Sequence, residues 1–233
     1  MEVIESLVEK ADGYLRRVGR PFVTLSYAQS LDGCISARAG EPLAISGSES
    51  LTLTHQLRAH HEVILVGIGT ILSDDPRLTV RLVEGKNPRP VILDSRLRVS
   101  AGARVFSQNG RSPMVVTRNG NSQERCRALV DVGATVLTVD PNSRGQVSLH
   151  SLLDRLGQMG VRSVMVEGGS RVITSFLLAR LADYAVLTVS PVFVGGLRAV
   201  SDLNQSDPKC FLRINNPGHR WLGDDLILWG DLA

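Results

Sequence analysis

Three short segments of this 233-residue chain are apolar at nearly every position rather than at alternate ones: Val63-Ile64-Leu65-Val66-Gly67, Pro90-Val91-Ile92-Leu93-Asp94 and Met114-Val115-Val116-Thr117. A strand with one wet face alternates apolar and polar residues, so an unbroken apolar run means that both faces of its sheet are covered. Segments of helical period lie between such strands. Ser122 has the chemistry of an N-cap for a helix carrying Cys126, Leu129 and Val130, which Gly133 ends before a strand at 135–139. Leu149, Leu152, Leu153, Leu156 and Met159 share one helical face ahead of a strand at 163–166. Val172, Ile173, Phe176, Leu177 and Leu181 mark the next helix, and a strand at 184–190 follows. Upstream, 3–18 reads as one amphipathic helix and 22–25 as a strand. Ser46 and Glu49 have capping-box spacing for a helix through about His60. Leu226-Ile227-Leu228-Trp229 reads as a last strand after a long polar connection. The alternation predicts an α/β fold, a central and mostly parallel sheet with helices on both faces, because right-handed crossovers put them there. No internal repeat or low-complexity linker divides the chain. A single domain over 1–233 is expected, with 1–20 as a helical extension.

Charge and cysteine usage narrow the function classes. Hydrophobic residues make up 43% and charged residues 21%, with a formal charge of only +3, too mild and too evenly spread for a nucleic-acid surface. No apolar run approaches the ~20 residues that cross a bilayer. The acidic residues Glu2, Glu5, Glu9 and Asp12 are wrong for a signal peptide. Three cysteines with no CxxC pair point to a reducing compartment, hence a cytoplasmic protein.

The run Val164-Met165-Val166-Glu167-Gly168-Gly169-Ser170-Arg171 carries a buried strand through two glycines into a helix. Paired glycines let a phosphate approach the backbone, and a helix N-terminus presents unpaired N–H groups. A tight strand-to-helix bend needs the same two glycines, and the spacing is not GxGxxG. Glu167 stands at a strand's C-terminal end, where open α/β sheets bind ligands. An ion-paired or solvated acid is the plainer reading there. Gly67-Ile68-Gly69-Thr70 puts glycine and hydroxyl beyond a second strand, and Ser73-Asp74-Asp75-Pro76 has turn chemistry. Arg58, Arg77, Arg81 and Arg89 have the guanidinium geometry to fork a phosphate, and Arg118 follows a strand where it could meet a 2′-phosphate. Each of these arginines taken singly is more often a solvated charge. His60-His61-Glu62 lacks the P-C-x-x-C partner of a zinc deaminase, so these histidines read as the polar end of a helix and His55 as a surface residue. No metal site is expected.

Several of these pieces occur together in one family. Pro21-Phe22-Val23-Thr24-Leu25-Ser26-Tyr27-Ala28-Gln29-Ser30-Leu31-Asp32-Gly33 resembles the opening of the riboflavin-biosynthesis pyrimidine reductases, whose fold is like dihydrofolate reductase. So do Leu57-Arg58-Ala59, the run from Leu65 to Arg81, Leu93-Asp94-Ser95, Val166 to Ser170, and Pro191 to Gly196, in the right order over about 21–196. The resemblance implies an NADPH-dependent oxidoreductase that converts the ribosylamino group of a pyrimidine 5′-phosphate to ribitylamino. It implies cofactor contacts at Ala28, Ala44, Thr70, Asp74, Ser95 and the stretch Gly168, Gly169, Ser170, Arg171, Val172, Ile173, Thr174 and Ser175. It implies substrate contacts at Pro42, Arg58, Leu78, Arg81 and Glu167, with the two arginines on the 5′-phosphate. Of the candidate catalytic residues, Glu167 would orient ribose hydroxyls and Asp74 bridge cofactor and substrate.

Bacterial two-domain relatives carry a deaminase ahead of this reductase, and its zinc motif is absent here, so the resemblance implies a stand-alone enzyme. Those relatives tend to have Lys where this chain has Ser26, and the Ser26-Tyr27-Ala28-Gln29-Ser30 version is closer to the fungal and archaeal reductases. That points to the 2,5-diaminopyrimidinone rather than the deaminated uracil as substrate. Ala44 replaces an aromatic common at its position. A homodimer is implied as well. The alternatives are another NADPH-dependent reductase on the same scaffold, a non-catalytic nucleotide-binding module, or a structural protein whose glycines and acids only make turns.

Overall fold

The computed structural model describes residues 2–107 and 110–233, and the apolar runs are strands. These are β3 (Val63–Gly67), β4 (Arg89–Leu93), β5 (Met114–Arg118), β6 (Thr135–Val139), β7 (Ser163–Val166) and β8 (Tyr184–Ser190). With β1 (Phe22–Ser30), β10 (Ile214–Leu222) and β11 (Asp225–Leu232) they form one nine-stranded sheet, ordered β10-β11-β8-β1-β7-β3-β4-β5-β6. Neighbours from β8 to β6 run parallel, whereas β11 is antiparallel to β8 and β10 to β11. A small second sheet pairs β2 (Cys34–Ser36) with β9 (Leu197–Arg198).

Alternation along each strand explains why both faces are apolar. Leu65 and Val166 face a core shared with α7 (Leu149–Gln158) and α8 (Ser170–Leu178), through Leu152, Leu153, Leu156, Ile173 and Phe176. Ile64 and Val66 face the opposite side, against α4 (Ile68–Asp74), α5 (Arg104–Ser107) and α6 (Gln123–Asp131). Met165, Tyr184 and Trp229 meet α1 (Glu2–Ala11) and α3 (Ser48–His60) through Val3, Leu7, Leu53 and Leu57. Helices therefore cover both faces, as the unbroken apolar runs require.

Several boundaries differ from expectation, each for a local reason. The helix expected over 3–18 breaks at Gly13, which takes a left-handed conformation (φ 64°) between α1 and α2 (Tyr14–Val18). Ser46 does not cap α3: the N-cap is Gly47, whose N–H donates to Asp225 Oδ2 at 2.8 Å. A tertiary carboxylate thus takes the N-cap amide, the group that the Glu of a capping box would otherwise reach back to. The segment after β3, for which no helix was expected, forms α4, and Asp75 closes it with φ 39°. The long polar connection contains β9 and the edge strand β10, whose mixed sequence suits a strand with few buried positions. His55 is not on the surface but fully buried (0% exposed), and His61 is buried too. The His61 ring sits between the Leu57 carbonyl (2.7 Å) and the Thr24 hydroxyl (3.0 Å).

Candidate active site

All the parallel strands point their C-terminal ends to one side, and β7 lies between β1 and β3 although it follows them by about a hundred residues in the chain. Such an insertion creates the crevice in which open α/β sheets bind ligands. At that crevice β7 leaves through Glu167, Gly168 and Gly169. Both glycines have positive φ (94° and 83°), which an L side chain adopts only at a cost. A Cβ on Gly169 would lie 3.3 Å from Thr70 Oγ1, and one on Gly67 only 2.7 Å from Val172 Cγ2. The exits of β3 and β7 are thus pressed together, with glycine at each point of closest approach.

α8 begins immediately after this turn. Val172 N–H and Ile173 N–H return to the Gly169 carbonyl (2.9 and 3.0 Å), while the amides of Gly168, Gly169, Ser170 and Arg171 have no hydrogen-bond partner among the described residues. A row of unpaired N–H groups at the positive end of a helix dipole is an anion cradle. It suits the phosphates of a nicotinamide dinucleotide.

Beside the cradle stands a charged network. Arg58, on α3, donates from Nε to Glu167 Oε2 (2.8 Å) and from Nη2 to Glu167 Oε1 (2.5 Å), and its Nη1 donates to the Thr79 carbonyl (3.0 Å). Burial opposes the Arg58 charge, but the Glu167 carboxylate outweighs it and holds the guanidinium above its ordinary pKa. Arg81 Nη1 donates to Thr79 Oγ1 (2.8 Å), and the Arg81 amide donates to His55 Nδ1 (2.9 Å). Burial, with Arg58 and Arg77 as neighbouring charges, lowers the Arg81 pKa. His55 is pushed down to about 4, by burial first and by the Arg58 and Arg81 charges second, so its ring is neutral. Since Arg58 is already paired, Arg81, exposed and in no ion pair among the described residues, is the better placed of the two for a phosphate.

The other expected residues divide by environment. Thr70 and Asp74 are one turn apart on α4 and share a face, with Thr70 against the glycine turn; Asp74 is exposed and accepts from Ser73 Oγ. Ala28 pairs with Thr188 in the partly buried end of β1. Pro42 and Ala44 lie in an exposed loop, moored where Gly47 N–H reaches Asp225 and Ser190 Oγ donates to the Ile45 carbonyl (3.0 Å). Ser95 follows β4 half-buried, its Oγ accepting from the Val147 amide (3.1 Å).

Four expected contacts need correction at the level of the side chain. Leu78 is 2% exposed and packs in the core with a left-handed backbone (φ 53°). Val172 and Ile173 face the core from α8, and the Thr174 hydroxyl accepts from the Ser201 amide (2.9 Å). A helix that buries one face cannot offer that face to a ligand, and the Val172 and Ile173 amides are already given to the Gly169 carbonyl. Ser175 Oγ donates to the Arg171 carbonyl (2.7 Å) one turn back, Ser170 Oγ lies 3.4 Å from Ser201 Oγ, and Arg171 is exposed. The residue that sequence reasoning missed is His55. Its signal was a place three residues before Arg58, on the same helix face. Among the described residues no three His, Cys, Asp or Glu side chains gather as a metal site.

This geometry has close counterparts. The chain is 38% identical over 187 residues to the 2,5-diamino-6-ribosylamino-4(3H)-pyrimidinone 5′-phosphate reductase of Archaeoglobus fulgidus, covering 76% of this chain and 83% of that one. It superposes on RibD of Acinetobacter baumannii with a TM-score of 0.83 at 26% identity, over 97% of this chain but only 62% of the longer RibD chain. The Saccharomyces riboflavin biosynthesis reductase matches with a TM-score of 0.71 at 29% identity, over 98% of this chain and all of that one. A dihydrofolate reductase from Enterococcus faecalis shares the fold alone, with a TM-score of 0.52 at 13% identity over 90% of this chain and 96% of that one. The dihydrofolate-reductase-like architecture expected from the sequence is therefore the one observed. Residues 21–228 match the model of the RibD C-terminal domain, and this chain belongs to that family.

Proposed function

We propose that this chain reduces the ribosylamino group of 2,5-diamino-6-ribosylamino-4(3H)-pyrimidinone 5′-phosphate to ribitylamino, with NADPH as reductant, as a cytoplasmic homodimer. The observation that carries the reading is the placement of an anion cradle, Gly168 to Arg171, beside the Arg58–Glu167–Arg81 network on adjoining strand exits. One side suits a dinucleotide and the other a sugar phosphate. The diaminopyrimidinone is favoured by the archaeal relative's name and by Ser26.

When bound, the nicotinamide cofactor supplies the hydride. The amides of the cradle bind its phosphates, and Arg118 at the end of β5 supports NADPH over NADH, since its buried Nε has no partner among the described residues. Arg81 holds the substrate's 5′-phosphate. Glu167 keeps about two of its roughly four acceptor positions after Arg58 has taken its share, and these orient ribose hydroxyls. Asp74 shares the Thr70 face of α4 and is the group to bridge cofactor and substrate. The unpaired edge of β10, with Trp221 exposed on it, supports a surface for a second copy.

The test mixes the protein with each ribosylamino pyrimidine phosphate, amino or deaminated, and NADPH or NADH, and follows the loss of reduced nicotinamide. Turnover of the diaminopyrimidinone with NADPH is expected; no oxidation with either pyrimidine would overturn the reading. Arg81→Ala should raise the substrate KM about 10- to 100-fold, as loss of a charge-assisted phosphate contact does. An unchanged KM would remove Arg81 from the phosphate site.

A further inference from the structure

We propose that His55 is the positioning residue for Arg81: by accepting the Arg81 backbone N–H at Nδ1, it sets where the Arg81 guanidinium meets the substrate phosphate. The inference rests on the phosphate role given to Arg81 above.

α3 grips the segment 79–81 at two points one turn apart. Arg58 Nη1 donates to the Thr79 carbonyl (3.0 Å), and His55 Nδ1 accepts the Arg81 N–H (2.9 Å). The segment has no strand or helix to fix it, so its amides depend on side chains; the Val80 N–H is taken by Asn87 Oδ1 (2.7 Å). Because Arg81 Nη1 also bonds Thr79, the side chain is referenced to the same short stretch that α3 holds.

The tautomer follows from the chemistry. A backbone N–H can donate only to an unprotonated Nδ1, so the proton is on Nε2. Nε2 is buried and has no partner among the described residues. An orphaned buried donor costs about 1–3 kcal/mol, which an apolar side chain of similar volume would avoid. What histidine offers in return is the Nδ1 acceptor. Burial and the Arg58 and Arg81 charges, against the opposing Glu167, keep the ring neutral and that acceptor available.

The test compares His55→Leu, His55→Asn and Arg81→Ala in the whole protein, measuring the KM and kcat for the pyrimidine phosphate, the dissociation constant for NADPH and inhibition by inorganic phosphate. His55→Leu should raise KM and the inhibition constant of phosphate about tenfold, in line with one lost hydrogen bond, with kcat and NADPH affinity within about twofold. His55→Asn places Oδ1 close to the Nδ1 position and should recover most of the loss. Three outcomes overturn the proposal: wild-type KM in His55→Leu while Arg81→Ala is impaired, no recovery in His55→Asn, or NADPH affinity falling in step with KM. An unimpaired Arg81→Ala would instead strike down the phosphate role on which the proposal rests.

Discussion

Removing the Glu167 carboxylate tests the charged network most directly. Glu167→Ala leaves the Arg58 side chain, 10% exposed, without its ion pair; the Glu167 side chain is 20% exposed. Orphaning one member of a buried pair costs about 3–5 kcal/mol, and the partial access of water to this pair brings the expectation to about 2–3 kcal/mol. For a chain of this size each kcal/mol moves the melting temperature about 2–4 °C, so a fall of about 5–10 °C should appear in thermal unfolding. Most of that cost is the stranded cation rather than the lost bonds. Arg58→Met in the Glu167→Ala background should therefore restore stability, with a coupling energy of at least about 1.5 kcal/mol in the double-mutant cycle. Urea unfolding of the four proteins measures it without heating. A coupling near zero, or a single-variant loss below about 0.5 kcal/mol, would refute the account of Arg58 as a buried charge dependent on Glu167.

Stability should fall as pH drops from 6.5 towards 4. His61, held by Leu57 and Thr24, has its pKa lowered to about 4 mainly by burial, so across that window the unfolded chain binds a proton that the folded chain does not. The loss from His61 alone is on the order of 2–3 kcal/mol near pH 4, and a urea midpoint that did not move between pH 7 and pH 5 would contradict it. Gly169→Ala forces a side chain onto a positive φ and towards Thr70, so a destabilisation of about 1–3 kcal/mol and weaker NADPH binding by titration are expected. Asp225→Ala strips the Gly47 amide of its acceptor, which should cost about 1–3 kcal/mol and loosen the loop bearing Pro42 and Ala44. Faster hydrogen exchange confined to that loop would show it.

The parallel sheet was legible because β3, β4 and β5 are apolar on both faces, a pattern with few other solutions. The Ser122 cap is local chemistry and is realised, its hydroxyl accepting from the Arg125 amide. The Ser46 cap is not: the helix starts one residue later, with Gly47 at the N-cap and its amide taken by Asp225, far along the chain. β10 was illegible because an edge strand has little apolar pattern to detect. Of the site, Gly168 and Gly169 could be singled out for their place between strand and helix, and Arg58 and Arg81 for their charge. That Arg58 pairs with Glu167 depends on α3 lying against the exit of β7, across more than a hundred residues.

His55 and Leu78 mark the division most clearly. Residue type and spacing, by themselves, determined the α/β class, the strand-to-helix glycine turn and the arginines capable of meeting a phosphate, because these follow from local sterics, periodicity and charge. The tertiary structure alone decided which side chains face the crevice: it buried Leu78, withdrew Val172 and Ile173 into the core, and turned a histidine read as surface into the acceptor for Arg81. Orientation of that kind is set by the packing of elements remote in sequence, and no local pattern encodes it.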